Sequence, residues 1–333
     1  MVQRLLSPGE IESLDHNTIP RLLLPQPGSL FTARAARLRQ LAQGGVPGIP
    51  AQESIQGYLL LMAAVADAQA AVSAQAALPP LPDAHAIDTA LAHNMPPLPV
   101  SGQRPAGWRA VYAQLLDKLD AAASAQPQLA AVLAELRALG EAELEGCADA
   151  VLAQFGEGIN PLHAPFVAAA LQVLWTNHAS QLNPVRVQPP VTGTLCPVCG
   201  SHPVASVIRI GGQSQGYRYL HCGICASEWH MVRVKCSCCE QTAKIAYQGL
   251  TPSDAPGDDV ADAAANKAQD PSRVVRAETC DDCHSYRKIF NQEHDYAVEP
   301  LADDMASLAL DVLVTEAGYT RGSVNPLLWF GAA

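Results

Sequence analysis

The residues of this chain best suited to chemistry are concentrated between Cys196 and Cys283. Four C-x-x-C pairs lie there and use eight of the ten cysteines in the 333-residue chain. The pairs are Cys196/Cys199, Cys222/Cys225, Cys236/Cys239 and Cys280/Cys283. A C-x-x-C turn places two sulfur atoms on one side of a loop, so each pair supplies half of a tetrahedral four-cysteine metal site. Four pairs therefore predict two metal ions held by these eight cysteines.

The spacing of the pairs predicts two units in tandem. Twenty-two residues separate the first pair from the second, and forty separate the third from the fourth, while only ten lie between the units. The residues between the pairs of each unit predict a β-hairpin, so each unit resembles a rubredoxin or a zinc ribbon. Gly200 and Gly223 are candidates for the positive φ that lets amide N–H groups point at sulfur.

The cysteine pattern leaves the metal and its role open. Four thiolate ligands suit zinc and iron alike. Zinc would have only a structural role and would stabilise a region with a small core, whereas iron in the same ligand set exchanges an electron. Both roles remain compatible with the residues.

Two further cysteines and four histidines are weaker candidates for metal ligands than the eight paired cysteines. Cys238 lies inside the third pair and could replace Cys236 or Cys239, but the C-x-x-C spacing favours those two as ligands. Cys147 lies in a helical stripe and is interpreted as a small buried apolar residue. Four histidines close to the cysteines are candidate substitute ligands: His202, His221, His230 and His284.

The acidic pairs of the chain do not indicate catalysis. Asp303 and Asp304 open a predicted helix, where the helix dipole favours acidic residues. Asp281 and Asp282 lie inside a cysteine turn and are interpreted as solvated. The chain contains no Walker loop or G-x-G-x-x-G motif. We therefore predict that the protein is not an enzyme.

Charge and composition restrict the partners and the compartment. The formal net charge is −11, and residues 196–290 carry ten basic and ten acidic side chains, which argues against a nucleic-acid-binding zinc ribbon. We expect no membrane span, because no apolar run is long enough, and residues 1–16 show no secretory signal. A cytoplasmic location follows, where cysteines stay reduced and favour metal over disulfides.

The part of the chain that precedes the cysteines is predicted to be helical. The content of alanine and leucine favours helix, and residues 1–188 predict an all-helical domain of about six helices. Ser54 is the predicted N-cap of the clearest helix. The predicted helices are Phe31–Gln43, Ser54–Gln75, Gly107–Ala123, Gln126–Leu139, Glu141–Phe155 and Pro165–Leu182, with a further short helix around Asp83–Ala92.

Strands dominate the remaining residues, so the predicted fold class is α+β. The first metal unit spans residues 189–234, and the second spans 235–333 with an acidic loop at 251–270. The predicted strands are Val204–Ile210, Tyr217–His221, Trp229–Val234, Ala243–Tyr247 and Arg273–Thr279. A C-terminal amphipathic helix, Ala302–Glu316, carries Met305, Leu308, Ala309, Val312 and Leu313 on one face.

Four segments carry a resemblance to a known family. They are CPVCGSHPVASVIR, CGICASEWHMVRVKCSCC, ETCDDCHSYRKIF and PLADDMASLALDVLVTEAGYTRGSVNP. Together they resemble the FdhE family of formate dehydrogenase accessory proteins. The resemblance is specific from Cys196 to Pro326, whereas the helical part is similar in character and length only.

The resemblance implies a cytoplasmic maturation factor for respiratory formate dehydrogenase. It implies an interaction with the catalytic subunit before export by the twin-arginine route, and rubredoxin-like iron held by the eight paired cysteines. A rubredoxin-like electron carrier is the alternative, although such a carrier does not need a large helical domain. A homodimer is compatible with either function.

Overall fold

The first half of the chain folds into helices, as its alanine and leucine content predicts. The computed structural model describes residues 19–49, 51–75, 78–105, 107–154, 160–189, 192–250 and 271–329. The helices before position 189 are α1 Pro27–Gly44, α2 Glu53–Ser73, α3 Ala84–Ala92, α4 Trp108–Ala123, α5 Pro127–Ala138, α6 Glu141–Ala153 and α7 Ala164–Ala179. The predicted helices are therefore all present, including the short one. The predicted acidic loop at 251–270 lies outside the described residues.

The ends of the helices differ from the prediction by up to four residues. Helix α1 begins at Pro27 rather than Phe31. Proline is favoured at the first position of a helix, because the N–H that it lacks would have no partner within the helix there. Ser54 is not an N-cap: α2 begins at Glu53, and Gln52 precedes it without a side-chain cap. Asp83 does cap α3, since its side chain accepts hydrogen bonds from the amides of His85 and Ala86 at 3.1 and 3.4 Å.

Helix α7 is the centre of the helical layer. Every residue of α7 except Asn177 is buried, and the helix packs against α2, α4 and α6. Two of its side chains donate hydrogen bonds to segments outside the helices. Trp175 Nε1 donates to the carbonyl of Leu98 at 2.9 Å, and Gln172 Nε2 donates to the carbonyl of Gly223 at 2.7 Å. The helical layer is thus joined directly to the first metal unit.

Helix α2 is the one helix among the described residues that is long and apolar enough to cross a membrane. Length and composition alone are weak evidence, because a core helix of a soluble protein passes the same test. In this fold α2 packs against α1, α4 and α7, and its side chains Met62, Val65 and Val72 are fully buried.

The second half of the chain, together with one short strand from its beginning, forms one mixed sheet. Its strands are β1 Leu22–Leu23, β2 Pro203–Ile208, β3 Arg218–Cys222, β4 Glu228–His230, β5 Ile245–Gln248, β6 Val275–Cys280, β7 Ser285–Asn291 and β8 Thr320–Arg321. Their order is β1-β4-β3-β2-β7-β6-β5, and β8 pairs with β7. The α+β class is confirmed. Strands β1, β7 and β8 were not predicted from the sequence.

The two metal units repeat one topology and share this sheet. Each is a three-stranded antiparallel meander, β2-β3-β4 and β5-β6-β7. The first strand of one meander pairs in parallel with the last strand of the other, with Ser206 opposite Ile289 and Ile208 opposite Asn291. The tandem arrangement is therefore one continuous layer, in which each unit covers an edge of the other.

Buried ion pairs join the first helix to the end of the chain. Arg34 pairs with Glu299 at 2.9 Å, and Arg37 pairs with Asp303 at 2.5 Å and Asp295 at 2.7 Å. Both arginine side chains are only 2% exposed. The boundaries after residues 188 and 234 remain a prediction, and these contacts show that the segments they separate pack together.

The C-terminal helix is divided, contrary to the prediction of one helix over Ala302–Glu316. It forms α8 Pro300–Ala306 and α9 Leu308–Glu316. The Ser307 hydroxyl donates to the carbonyl of Asp303 at 2.7 Å, and Lys288 Nζ donates to the carbonyl of Asp304 at 2.8 Å. Because these side chains satisfy carbonyls that a continuous helix would use, the helix breaks at Ser307.

The break also changes the buried face. Met305 is buried, but Val312 and Leu313 are 56% and 51% exposed, and Leu310 and Val314 are buried instead. The predicted single stripe from Met305 to Leu313 is therefore wrong, since α9 starts with a new orientation. The apolar C-terminal tail does pack inside, as Leu327 and Leu328 are buried.

Asp304 is the anion of a buried cluster, not an exposed acid at a helix start. It is 0% exposed and pairs with Lys288 at 3.2 Å and Arg321 at 2.5 Å. Asn325 Nδ2 donates to it at 2.9 Å. Burial alone would raise the pKa of Asp304, but the charges of Arg321 and Lys288 outweigh burial and lower the pKa to about 2.

We predict that Asp304→Asn destabilises the fold by about 3 kcal/mol at pH 7, because Lys288 and Arg321 lose their fully buried carboxylate and keep only Asp311 as a counter-charge. The lowered pKa means that this contribution is fully present above pH 3.8 and is lost as the pH falls toward 2. Chemical denaturation of both proteins at pH 7 and pH 3 measures the difference. Asp67→Asn, in an exposed pair with Arg39, is the control and should cost less than about 1 kcal/mol. A difference that does not change with pH would contradict the prediction.

Candidate metal centres

The first two C-x-x-C pairs meet in one cluster. Cys196 Sγ lies 3.6 Å from Cys225 Sγ, and Cys199 Sγ lies 3.5 Å from Cys222 Sγ. All four sulfur atoms lie within 4.8 Å of one another. A tetrahedron with metal–sulfur distances of about 2.3 Å has sulfur–sulfur edges of about 3.8 Å. The first cluster therefore has the dimensions of a four-cysteine metal site.

The last two pairs form a second cluster of the same size. Cys236 Sγ lies 3.8 Å from Cys283 Sγ, and Cys239 Sγ lies 3.8 Å from Cys280 Sγ. These four sulfur atoms also lie within 4.8 Å of one another. The structure thus brings together the eight predicted cysteines in the predicted two sets, and the two clusters could bind two metal ions.

All four cysteine turns use the same backbone device. The residue after the second cysteine of each pair has a positive φ, which turns the chain back toward the sulfur atoms. These residues are Gly200 at 79°, Ala226 at 55°, Glu240 at 65° and His284 at 51°. The prediction for Gly200 is confirmed and that for Gly223 is wrong. A Cβ on Gly223 would lie 2.9 Å from Pro326 Cδ, so this glycine makes room for the C-terminal tail.

Hydrogen-bond donors surround the first cluster. The amides of Ile224 and Cys225 donate to Cys222 Sγ, both at 3.4 Å. The Ser201 hydroxyl lies 3.0 Å from Cys199 Sγ and 3.1 Å from Cys222 Sγ. Such contacts spread the negative charge of metal-bound thiolates.

The serine hydroxyls were missed by the sequence analysis. Ser227 Oγ also lies 3.3 Å from a cluster sulfur, that of Cys225. A usable signal was present, because Ser201 and Ser227 each stand two residues after the second cysteine of a pair.

The two clusters differ in burial. Cys196, Cys199, Cys222 and Cys225 are all 0% exposed. In the second cluster Cys239 and Cys283 are half-buried. Burial raises the pKa of the Cys196 and Cys225 thiols well above the ordinary value. Four thiolates in such a place need a cation, which supports metal binding by the first cluster.

The proline-rich connection between α3 and α4 holds the first cluster. The amide of Leu98 donates to the carbonyl of Val198 at 3.0 Å, and the amide of Val100 donates to the carbonyl of Cys199 at 2.9 Å. A Cβ on Gly200 would lie 3.4 Å from Pro96 Cγ. The first cysteine turn is therefore clamped by a segment of the helical layer.

The structure places the two remaining cysteines outside both clusters. Cys238 Sγ faces Arg287 Nη2 at 3.6 Å, so Cys236 and Cys239 are the members of their turn that join the cluster. Cys147 is half-buried, and burial raises the pKa of its thiol. These positions agree with the interpretation of Cys236 and Cys239 as the paired ligands of the third turn.

Neither cluster includes a histidine among the described residues. The ring of His221 is bonded to Glu228 instead, with Nδ1 2.6 Å from the carboxylate. Asp281 and Asp282 are exposed, as predicted. Asp281 accepts from the Tyr319 hydroxyl at 2.6 Å, and Asp282 pairs with Lys244 at 3.3 Å. None of these side chains completes a metal site in this arrangement.

Two substitutions in one turn test the ligand assignment. We expect Cys239→Ser to lose one of two metal ions, because Cys239 Sγ belongs to the second cluster. Its matched control, Cys238→Ser, should keep both. Metal analysis of anaerobically purified proteins gives the ratio. Metal loss in Cys238→Ser with full retention in Cys239→Ser would overturn the assignment.

The difference in burial predicts release of metal in two steps. A chelator should remove metal first from the second cluster, where Cys239 and Cys283 are partly accessible, and later from the fully buried first cluster. Release is followed by visible absorption for iron, or by a coloured indicator for zinc. Cys239→Ser should lack the fast step. Release of both ions at one rate would contradict this prediction.

Comparisons with known proteins agree with these features. The family model described as "FdhE, N-terminal" matches residues 19–192, "FdhE, central domain" matches 195–233, and "FdhE, C-terminal domain" matches 234–328. Protein FdhE from Escherichia coli strain K12 / DH10B is 37% identical over 98% of both chains. The FdhE homolog from Cronobacter sakazakii is also 37% identical over 98% of both chains.

A solved structure shows the same fold. The crystal structure of the FdhE protein from Pseudomonas aeruginosa matches with a TM-score of 0.77 and 36% identity, over 94% of this chain and 100% of that chain. The sequence match and the structural match both extend through the helical layer and the two cysteine clusters. The chain therefore belongs to the FdhE family.

Proposed function

We propose that this protein is a maturation factor for a respiratory formate dehydrogenase. In the proposal it binds the catalytic subunit in the cytoplasm, before export by the twin-arginine route, and is needed for the activity of the enzyme. The observation that carries the proposal is membership of the FdhE family along nearly the whole chain. Family membership supports an accessory role for formate dehydrogenase, and an accessory role is consistent with a protein that is not itself an enzyme.

The eight paired cysteines are proposed as the ligands of two metal ions. The sulfur spacing in both clusters supports this, because it suits tetrahedral coordination. Iron is favoured by the family resemblance, and zinc satisfies the same ligand set. The residues that would hold the ions are Cys196, Cys199, Cys222 and Cys225 in the first cluster, and Cys236, Cys239, Cys280 and Cys283 in the second.

A rubredoxin-like electron carrier is the second candidate function. One observation favours it: Cys239 and Cys283 are partly exposed, and an electron-transfer centre needs a ligand near the surface. With iron in the second cluster, a maturation factor could also deliver an electron to its client. A nucleic-acid partner is not proposed, and a homodimer is compatible with both candidates.

Co-purification from the native host tests the maturation role. The tagged full-length protein should retain the catalytic subunit of formate dehydrogenase, and deletion of its gene should abolish most formate dehydrogenase activity. Restoring the gene should restore the activity. A deletion strain with normal activity, in which the tagged protein also recovers no catalytic subunit, would refute the proposal.

A further inference from the structure

A groove of about 400 Å³ lies on the face of the sheet opposite the C-terminal helices. Its floor is apolar and contains Ile208 of β2 and Ile289 of β7. Strand register places Arg276 of β6 directly opposite Ile289, so the two side chains share one face. Lys288, on the other face, donates to the backbone of Asp304 at the end of α8. The groove is therefore a sheet face that α8 does not cover.

The walls of the groove are held in place by hydrogen bonds. The Tyr247 hydroxyl donates to the carbonyl of Arg233 at 2.6 Å. Arg233 Nη2 donates to the carbonyl of Gly216 at 2.5 Å. Arg218 anchors the same wall, because Nη1 donates to the carbonyl of Val232 at 3.0 Å. These hydrogen bonds hold the walls of the groove in place before any ligand binds.

The rim of the groove is basic in an acidic protein. Three guanidinium groups line it, those of Arg233, Arg273 and Arg276, together with the ring of His294. The one acidic residue in the lining is Glu293. The whole chain carries a net charge of −11, so this concentration of cations is local. Arg273 already has a partner, and the attraction for anions is therefore assigned to Arg233 and Arg276.

The apolar surface is also unusual at this place. Val234 is 65% exposed and Tyr247 is 39% exposed beside the arginines. His294 Nδ1 is buried and has no hydrogen-bond partner among the described residues. Exposed apolar side chains, an unsatisfied polar atom and arginines together are typical of a binding surface.

We infer that this groove binds an acidic segment of a partner protein, in which acidic and apolar side chains alternate. Charge complementarity selects the acidic side chains, and the exposed side chains of Val234 and Tyr247 receive the apolar ones.

The partner would be the catalytic subunit that the proposed maturation factor binds, so the inference deepens the proposed function. Only the identity of the partner rests on that function. A peptide probe tests the groove without the client. We expect a fluorescein-labelled nonapeptide of alternating glutamate and leucine to bind the full-length protein in fluorescence anisotropy. The same peptide with lysine in place of glutamate is the control and should not bind.

Variants locate the binding. Arg276→Glu should weaken binding of the acidic peptide at least about tenfold, because it replaces a charge-assisted contact by repulsion. Arg276→Lys keeps the charge and should retain most of the affinity. Arg39→Glu is the matched control, since it makes the same charge change on α1 at an exposed arginine outside the groove; its affinity should equal that of the wild type.

Recovery of the catalytic subunit by these variants connects the groove to the client. Arg276→Glu should recover at least about tenfold less subunit than the wild type and Arg39→Glu. If the wild type recovers no subunit, the proposed binding of the catalytic subunit fails, and the peptide still tests the groove.

Several outcomes would overturn the inference. One is equal peptide binding by the wild type and Arg276→Glu, and another is no binding by the wild type. Displacement of the peptide by a nucleotide that binds more tightly would assign the groove to a small molecule. Peptide binding only after deletion of residues 251–270, which carry five aspartates, would assign it to the chain's own acidic segment.

Discussion

Four sulfur atoms buried within 4.8 Å of one another are the constraint on which this structure depends. Ionised thiolates at this density repel each other, and burial without a counter-ion is costly, so a metal ion makes the arrangement favourable. The backbone serves the same need. Each turn bends back through one residue of positive φ, and in the first cluster amides and serine hydroxyls approach the sulfur atoms. Metal binding and the folding of this region are therefore expected to be one process.

The two metal units have the same topology but different surroundings. Both are three-stranded meanders with cysteine turns, and their parallel pairing through β2 and β7 makes one layer. The first cluster lies against the helical layer, clamped by the segment around Leu98 and by Gln172. The second cluster has half-buried cysteines instead. The first cluster is therefore closed to solvent, whereas two cysteines of the second are accessible.

Buried charges bring distant parts of the chain together. Arg34 and Arg37 of α1 reach carboxylates near α8, more than 250 positions later in the sequence. Asp304 gathers Lys288 and Arg321 in the same way. Removing one member of such a pair lowers the free energy of unfolding, because the other charge stays buried without its partner. The helical layer and the metal units therefore constrain each other.

The sequence by itself determined the eight cysteines, their division into two sets, the helices and most strands. These follow from local spacing and periodicity, which act over a few residues. Only the tertiary structure decided what depends on distant partners: the break at Ser307 beside Lys288, the close approach of Gly223 to the tail, and the burial of Asp304. It also decided that two units share a sheet and that one cluster is buried, because backbone pairing and solvent exclusion arise between segments that no local pattern connects.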